Sequence, residues 1–320
     1  MNYVITSSPG NSGGGAVHDY LCGRNDFESP TNGEEIRIIC DPYGIENLYQ
    51  NFYDNFSINN AAESLFQFQK YCEDLNQDKL LNSRKVYGGK FYSLVSKYIK
   101  EIKKMEYIGL PQYKKISLKS LDKIENKINI KLFKHKHNQY KSYKMILPVQ
   151  KDLFIKLSKN FLYNFFKSKI KSINKKNIIL DQATNYWNPS IAFKYFDNLK
   201  IIKINRDPRS IFYSMKWRSS SAYPGYDVKL FIEWYKNLLK INKDISSKNN
   251  KNIMQINFED FILKFDESTK KINKFLNIKK INNINFNIEK SKRNVFKAKD
   301  FLSKYEMSLL EKNFKNDLLW

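Results

Sequence analysis

This 320-residue sequence predicts an α/β fold of three layers, with a central parallel sheet, helices on both of its faces and a helical insertion. Three observations carry that expectation. Short apolar runs of strand length alternate with longer segments of helical periodicity. The first run opens directly into a glycine-rich loop. A later run ends in an Arg and is followed by a helix that Pro208 initiates, within IKINRDPRSIFYSMKW at 202–217. Such alternation implies right-handed βαβ units, whose ligands bind outside the carboxyl ends of the strands. Both loops fall at such ends.

Tyr3–Thr6 is the first strand. It runs into Ser7-Ser8-Pro9-Gly10-Asn11-Ser12-Gly13-Gly14-Gly15, then a helix over Ala16–Leu21. Strand, glycine-rich loop and helix form a phosphate cradle, because amides not shielded by Cβ atoms can surround an anion. Gly10 and Gly15 have Walker A spacing. Ala16 and Val17 stand where its Lys and Ser/Thr would be, which argues against an ATPase or kinase. Glu35–Cys40 (EIRIIC) is the second strand, bounded by Gly33 and Asp41-Pro42, with Glu34 and Glu35 at its start. A carboxylate there is either a general base or a solvated strand end.

Ile45–Tyr71 is aromatic-rich and helical, and its aromatics read as packing. Tyr92–Lys104 and Lys151–Lys171 have helical spacing of apolar residues with Lys between. Residues 112–148 alternate weakly, as an irregular or hairpin insertion would. His135 and His137 have no third ligand nearby, so exposure rather than metal binding is expected. The block 46–176 is too apolar and too poor in Gly and Pro for a linker. It reads as a mostly helical insertion, within one domain over 1–320, that covers the site and shapes a substrate cleft.

Asn177–Leu180 is the third strand and continues into Asp181-Gln182-Ala183-Thr184-Asn185-Tyr186. Ser190–Phe196 is a short helix. Lys200–Asn205 is the fourth strand, apolar as a strand covered on both faces is. Pro208 sits where a helix tolerates it. The turn before it points amides at an anion, which the helix dipole also favours. Arg206 can pair with a phosphate in bidentate fashion, and Ser214, about two helical turns on, can add a hydroxyl. Asp227–Ser247 is an amphipathic helix. Asn252–Phe258 is the fifth strand, followed by a helix to Leu276, a basic loop over Ser291–Asp300 and a last helix over Leu302–Leu319.

Composition bounds the partners. Residues 1–80 carry four Lys/Arg against twelve Asp/Glu, so residues 81–320 account for more than the whole net charge of +24. A basic body suits an anionic ligand, while many of the lysines read as simple surface solvation. No nucleic-acid-binding motif is present, so no nucleic-acid partner is expected. No apolar run approaches the ~18 residues of a transmembrane segment. The N-terminus lacks the basic and apolar regions of a signal peptide. Cys22, Cys40 and Cys72 show neither metal spacing nor a disulfide framework, so a cytoplasmic location is expected.

Taken in order, these pieces resemble the sulfotransferase family, enzymes of P-loop NTPase-like fold that use 3′-phosphoadenosine-5′-phosphosulfate (PAPS). Ser8–Gly15 resembles the family's 5′-phosphosulfate loop. Asp181–Tyr186 resembles its EKTPxY segment, and Arg206-Asp207-Pro208-Arg209 through Ser214 its 3′-phosphate motif. Asn257-Phe258-Glu259-Asp260 resembles xYEDL, and Asn294–Lys299 a closing basic loop. The likeness covers roughly residues 1–45 and 177–320.

The resemblance implies roles. Gly10, Asn11, Ser12, Gly13, Gly14 and Gly15 would hold the 5′-phosphosulfate. Arg206 and Ser214 would bind the 3′-phosphate, and Arg293, Asn294 and Lys297 would close over the nucleotide. PAPS would be the co-substrate, with no metal. The acceptor would be a hydroxyl or amine compound, a carbohydrate being one such class. Glu35, opening a pattern like the family's ExxFF, ranks first as catalytic base, with Glu34 and His18 behind. Two departures stand out: the family has a cation near Asn11 and a Lys where this chain has Gln182. Each such contact contributes about 3–4 kcal/mol to a transition state. Either Arg24, Arg37, Arg218 or a lysine of the middle block substitutes, or transfer is weak or lost. A binding relative without activity and a P-loop nucleotide kinase are the alternatives.

Overall fold

The computed structural model describes residues 1–10, 12–77, 83–109, 111, 113, 143–170, 176–217, 222–246, 250–280 and 286–320. The chain divides into two compact units, Met1–Ile39 with Phe166–Trp320, and Cys40–Phe165.

In chain order the first unit opens with β1 (Asn2–Ser7), α1 (Gly14–Cys22) and β2 (Phe27–Glu28). The second unit holds α2 (Ile45–Tyr49), a π-helical turn (Gln50–Asp54), α3 (Ile58–Gln77), α4 (Ser83–Tyr87), α5 (Phe91–Glu101), β3 (Lys103–Gly109) and β4 (Tyr143–Pro148). Helix α6 (Lys151–Lys167) follows. The first unit resumes with β5 (Asn177–Asp181), a 3₁₀ turn (Pro189–Lys194), β6 (Leu199–Asn205), α7 (Pro208–Trp217), α8 (Val228–Ser246), β7 (Ile253–Asn257), α9 (Phe258–Leu263) and α10 (Phe265–Leu276). It ends with α11 (Ile288–Lys292), α12 (Lys297–Phe301) and α13 (Lys304–Asn313).

The sheet of the first unit has the order β2-β5-β1-β6-β7 and every pairing is parallel. From β1 the chain crosses over α1 toward one edge, and from β6 over α7 and α8 toward the other. Right-handed crossovers in opposite directions put their helices on opposite faces. Alternation along the strands serves both faces. Val4, Ile179, Ile202 and Ile204 join Val17, Tyr20 and Leu21 of α1 and Phe258, Phe261 and Ile272 of α9 and α10 in one buried cluster. On the other face Tyr3 lies against the rings of Phe166 and Phe196, at 6.4 and 4.9 Å. The three-layer α/β expectation therefore holds.

In the second unit the weak alternation seen in the sequence becomes an antiparallel pair, β3 with β4, and α3 packs on β4. Its interior is aromatic: Tyr98 stacks on Phe161 at 4.8 Å, and Tyr87 on Phe165 at 5.7 Å. The helix expected to reach Lys104 stops at Glu101, because Lys103 begins β3. His135 and His137 lie outside the described residues. Among the described residues no helix is long and apolar enough to cross a membrane, and no metal-binding group of His, Cys, Asp or Glu is present.

The strand expected over Glu35–Cys40 is not formed. Only Glu35 bridges to the sheet, opposite Asp181, with Ile36 N–H donating to the Asp181 carbonyl at 2.9 Å. The physical reason is edge occupancy. Phe27 and Glu28 of β2 already pair with Asn177 and Ile178, leaving only the carboxyl end of β5. Ile36, Ile38 and Ile39 are buried instead in irregular chain, which an apolar run cannot distinguish from a strand. The basic loop over Ser291–Asp300 is likewise more regular than expected, with α11 ending and α12 beginning inside it.

Candidate active site

Four strand ends of the first unit converge on one cavity of about 1040 Å³. Its lining takes Ser8, Ser12, Gly13, Gly14 and Gly15 from the loop after β1, Asp181 at the end of β5 with Gln182 after it, Arg206 after β6 and Phe258 after β7. Ser214 of α7, and Asn294 and Lys297 around α11 and α12, complete the set.

The glycine loop is shaped by close packing. Gly13 is the N-cap of α1 with φ +79, a left-handed conformation that glycine adopts without strain. A Cβ there would meet the Phe258 ring at 2.5 Å, and one on Gly14 would meet Ser8 Oγ at 2.6 Å. The loop turns on Ser12 N–H to the Pro9 carbonyl and Ala16 N–H to the Gly13 carbonyl, both 3.1 Å. The first amides of α1 have no partner within the helix, and Gly14 and Gly15 line the cavity, so an anion there meets bare backbone at a positive dipole end. Asn11 lies outside the described residues.

Arg206 is buried at the end of β6. Its Nη1 donates to Ser214 Oγ at 3.0 Å and its Nη2 to the Asn294 carbonyl at 2.9 Å, and its guanidinium carbon lies 4.9 Å from the centre of the Phe258 ring. The strand end, α7 and the 291–301 segment are thereby bound to one side chain. Arg209, three residues on, serves otherwise. It donates to both carboxylate oxygens of buried Asp207, at 3.0 and 2.9 Å, and to Glu311 at 3.0 Å, with its guanidinium 3.7 Å over the Trp320 ring.

Of the residues expected at the site, Ser12, Gly13, Gly14, Gly15, Arg206, Ser214, Asn294, Lys297 and Glu35 line the cavity. Gly10 and Arg293 do not, and Arg293 is exposed. A Cβ on Gly10 would meet the Tyr223 ring at 2.6 Å, so this glycine permits a close approach rather than facing the cavity. His18 is a buried residue of α1, with Cys22 Sγ 3.5 Å from Nδ1 and Ser29 Oγ 3.4 Å from Nε2, and does not line the cavity. Burial pulls its pKa down, but Asp19, Cys22 and Asp181 outweigh that and displace it upward. Glu35 is the expected base that reaches the cavity. It is half exposed and its Oε2 accepts from Arg37 Nη2 at 2.7 Å.

The cations offered as substitutes separate clearly. Arg24 is fully buried and committed to both oxygens of Asp26, at 2.9 Å each. Arg37 is exposed, donates to Glu35 and does not itself line the cavity. Arg218 lies outside the described residues. At the glycine-loop end the cavity also carries carboxylates, Asp19 and Asp181. Asp181 accepts from Thr6 Oγ1 at 2.9 Å, and burial raises its pKa to about 6 against the lowering effect of His18 and Thr6.

The sequence reading missed the aromatic side of the cavity: Tyr213, Trp217, Phe286 and Phe301, together with Lys290. Tyr213 and Trp217 are spaced i, i+4 on α7 and flank Ser214, so a helical face of that composition was a usable signal.

The model of a family described as "Sulfotransferase family" matches residues 109–282. No curated protein gives a match. Among solved structures, the sulfotransferase domain of the Synechococcus PCC 7002 olefin synthase aligns at 11% identity and TM-score 0.43, over 99% of this chain and 95% of that one. Mouse sulfotransferase SULT7A1, complexed with PAP, aligns at 22% identity and TM-score 0.31, over 48% of this chain and 70% of that one. Sulfotransferase STF9 from Mycobacterium avium aligns at 10% identity and TM-score 0.38, over 98% and 75%. With more than half of its 320 residues matched by the family model, the chain belongs to the sulfotransferase family.

Proposed function

We propose that this cavity binds PAPS and that the protein transfers its sulfuryl group to a hydroxyl or amine acceptor. The observation that carries the reading is the convergence, in one cavity, of the Gly13–Gly15 backbone from the end of β1 and the Arg206–Ser214 pair from the end of β6. An adenine nucleotide with phosphates at both its 5′ and 3′ ends needs two separated anion sites, and these are two. The cradle fits such a group: the places of the Gly13 and Gly14 Cβ atoms are taken by Phe258 and Ser8, leaving backbone toward the ligand.

When bound, PAPS supplies a sulfuryl group already joined to a phosphate leaving group. The chain's own residues do the rest. Amides of Gly14 and Gly15 hold the 5′ anion, Arg206 and Ser214 hold the 3′-phosphate, and Lys290 and Lys297 add positive charge along the cavity wall. Glu35 accepts the proton of the attacking acceptor, with Arg37 the cation nearest to it. Acceptor recognition is assigned to residues 46–176. Their described part carries a groove of about 800 Å³ that includes Phe66, Tyr113, Lys70 and Lys144, a mixture that suits a carbohydrate or other hydroxylated compound. A reducing, cytoplasmic setting would suit the cysteine usage of the chain, Cys22, Cys40 and Cys72.

A second reading, a relative that binds the nucleotide without turnover, is favoured by the glycine-loop end of the cavity. There Gln182 stands in place of a lysine, beside Asp19 and Asp181. Two measurements decide. In a thermal-shift titration 3′-phosphoadenosine-5′-phosphate should stabilise the protein well beyond ADP; equal effects reject both readings. Transfer of labelled sulfate from PAPS then separates them. Under the first reading Glu35→Gln lowers kcat by about 10²–10⁴-fold with nucleotide affinity kept, whereas no transfer to any screened acceptor supports the second.

A further inference from the structure

Gln182 is one of the two positions at which this chain departs from the family pattern described above, and its side chain is fully engaged. The amide Oε1 accepts from Ser8 N–H at 3.2 Å and from Ser7 Oγ at 3.4 Å. The amide Nε2 donates to the Ser8 carbonyl at 3.3 Å and to Ser8 Oγ at 3.0 Å. All four contacts agree with one orientation of the amide. The side chain therefore behaves like one more peptide group paired with Ser8, extending the sheet by a residue where β1 leaves it. The backbone is set for this: Gln182 N–H donates to the Thr6 carbonyl at 2.9 Å, and φ is +52, a left-handed conformation that costs a residue bearing a Cβ about 1–2 kcal/mol. Strain of that size persists where surrounding bonds over-determine it.

We propose that Gln182 is a positioning residue that fixes the start of the phosphate loop, holding Ser8 against Gly14 so that the first amides of α1 stay aimed at the nucleotide's 5′ end. The inference deepens the PAPS reading and, for its functional part, rests on it. Ser8 Oγ occupies the space beside Gly14 that a Cβ would fill, so the position of Ser8 is passed directly to the helix N-terminus. A lysine in this place could not do the same. An ammonium has three donors and no acceptor, so the Ser8 N–H would lose its partner, while the Ser7 hydroxyl keeps the Thr184 carbonyl at 3.3 Å. Restoring the family's lysine is therefore expected to harm the site rather than repair it.

The test has two arms. In the free protein, hydrogen exchange at the Ser8 amide should quicken about tenfold in both Gln182→Ala and Gln182→Lys, as loss of a bond of ~1.4 kcal/mol implies, with amides of β6 unchanged. In calorimetry, Gln182→Ala should lose about tenfold in affinity for 3′-phosphoadenosine-5′-phosphate and little for adenosine 3′-phosphate, because only the former reaches the glycine loop. Unchanged exchange at Ser8 overturns the clamp. Equal weakening of both ligands, or tighter binding by Gln182→Lys, overturns its functional role. Failure of the wild-type protein to prefer the bisphosphate over ADP overturns the PAPS reading itself, while the exchange arm still decides the clamp.

Discussion

Arg206 and Glu259 are both buried ionisable groups, and their environments set opposite behaviour. Arg206 donates through Nη1 and Nη2 to Ser214 and Asn294 and also lines the cavity. Hydrogen bonds to charged groups contribute about 1.5–3 kcal/mol, so Arg206→Ala is expected to weaken binding of 3′-phosphoadenosine-5′-phosphate by roughly 10–100-fold in calorimetry, with a smaller effect on adenosine 5′-phosphate. Glu259 is buried. Its Oε1 accepts from Asp207 N–H at 3.1 Å, while Oε2 has no hydrogen-bond partner among the described residues. Burial raises its pKa to about 7, against the lowering effect of backbone N–H groups and Arg206. Between the unfolded value and about 7 the folded state keeps a proton that the unfolded state has released, so stability falls as pH rises through that window. Glu259→Gln, which keeps the acceptor for Asp207, is expected to match wild type near pH 4 and to exceed it by roughly 3 kcal/mol at pH 8. Urea denaturation at the two pH values measures this, and parity at pH 8 would contradict it.

At the scale of elements, the site is made by what happens where strands stop. The β1–α1 loop depends on Gly13, whose left-handed φ and contact with Phe258 leave no room for a side chain. Gly13→Ala combines backbone strain of about 1–2 kcal/mol with overpacking of typically 1–3 kcal/mol. A fall in stability of at least 2 kcal/mol is expected from these two terms together, with loss of nucleotide binding. Gly13→Ala with Phe258→Leu should recover part of the stability, because the clash is relieved and the φ strain is not. No recovery would show that the contact does not limit the loop. The elements themselves were largely legible. Tyr3–Thr6, Asn177–Leu180 and Lys200–Asn205 read as strands because buried parallel strands are continuously apolar. Glu35–Cys40 has the same composition and failed, since its pairing edge is occupied by Phe27 and Glu28, a fact of register that no local pattern records.

For the molecule as a whole, Arg209 is the counterpart of Arg206. It joins Asp207, at the end of β6, to Glu311 of α13 and to the ring of Trp320, and Leu319 N–H donates to the same Asp207 carboxylate at 2.8 Å. Removing one partner of a buried ion pair costs about 3–5 kcal/mol. Arg209→Ala should therefore cost most of that in chemical denaturation, while protein that remains folded binds nucleotide within a few-fold of wild type. Arg206→Ala should show the reverse pattern, with binding weakened by the roughly 10–100-fold given above and stability less affected. Similar effects of the two substitutions on stability and binding would refute this division of labour.

What the sequence determined by itself was the order of the parts. A glycine loop after the first strand and an Arg–Ser pair after the fourth are local patterns, and local conformation follows from the side chains present. So the α/β class, the two loops and the pairing of Arg206 with Ser214 could be read directly. Only the tertiary structure decided which side chains share a space. It enclosed His18 against Cys22 and Ser29, brought Glu35 to the cavity through a single bridge with Asp181, and separated Arg206 from Arg209 although both stand in one motif. It also turned Gln182 back onto Ser8, 174 residues away. The reason is physical: hydrogen-bond partners and burial are set by long-range packing, whereas propensity and pattern report only on near neighbours in the chain.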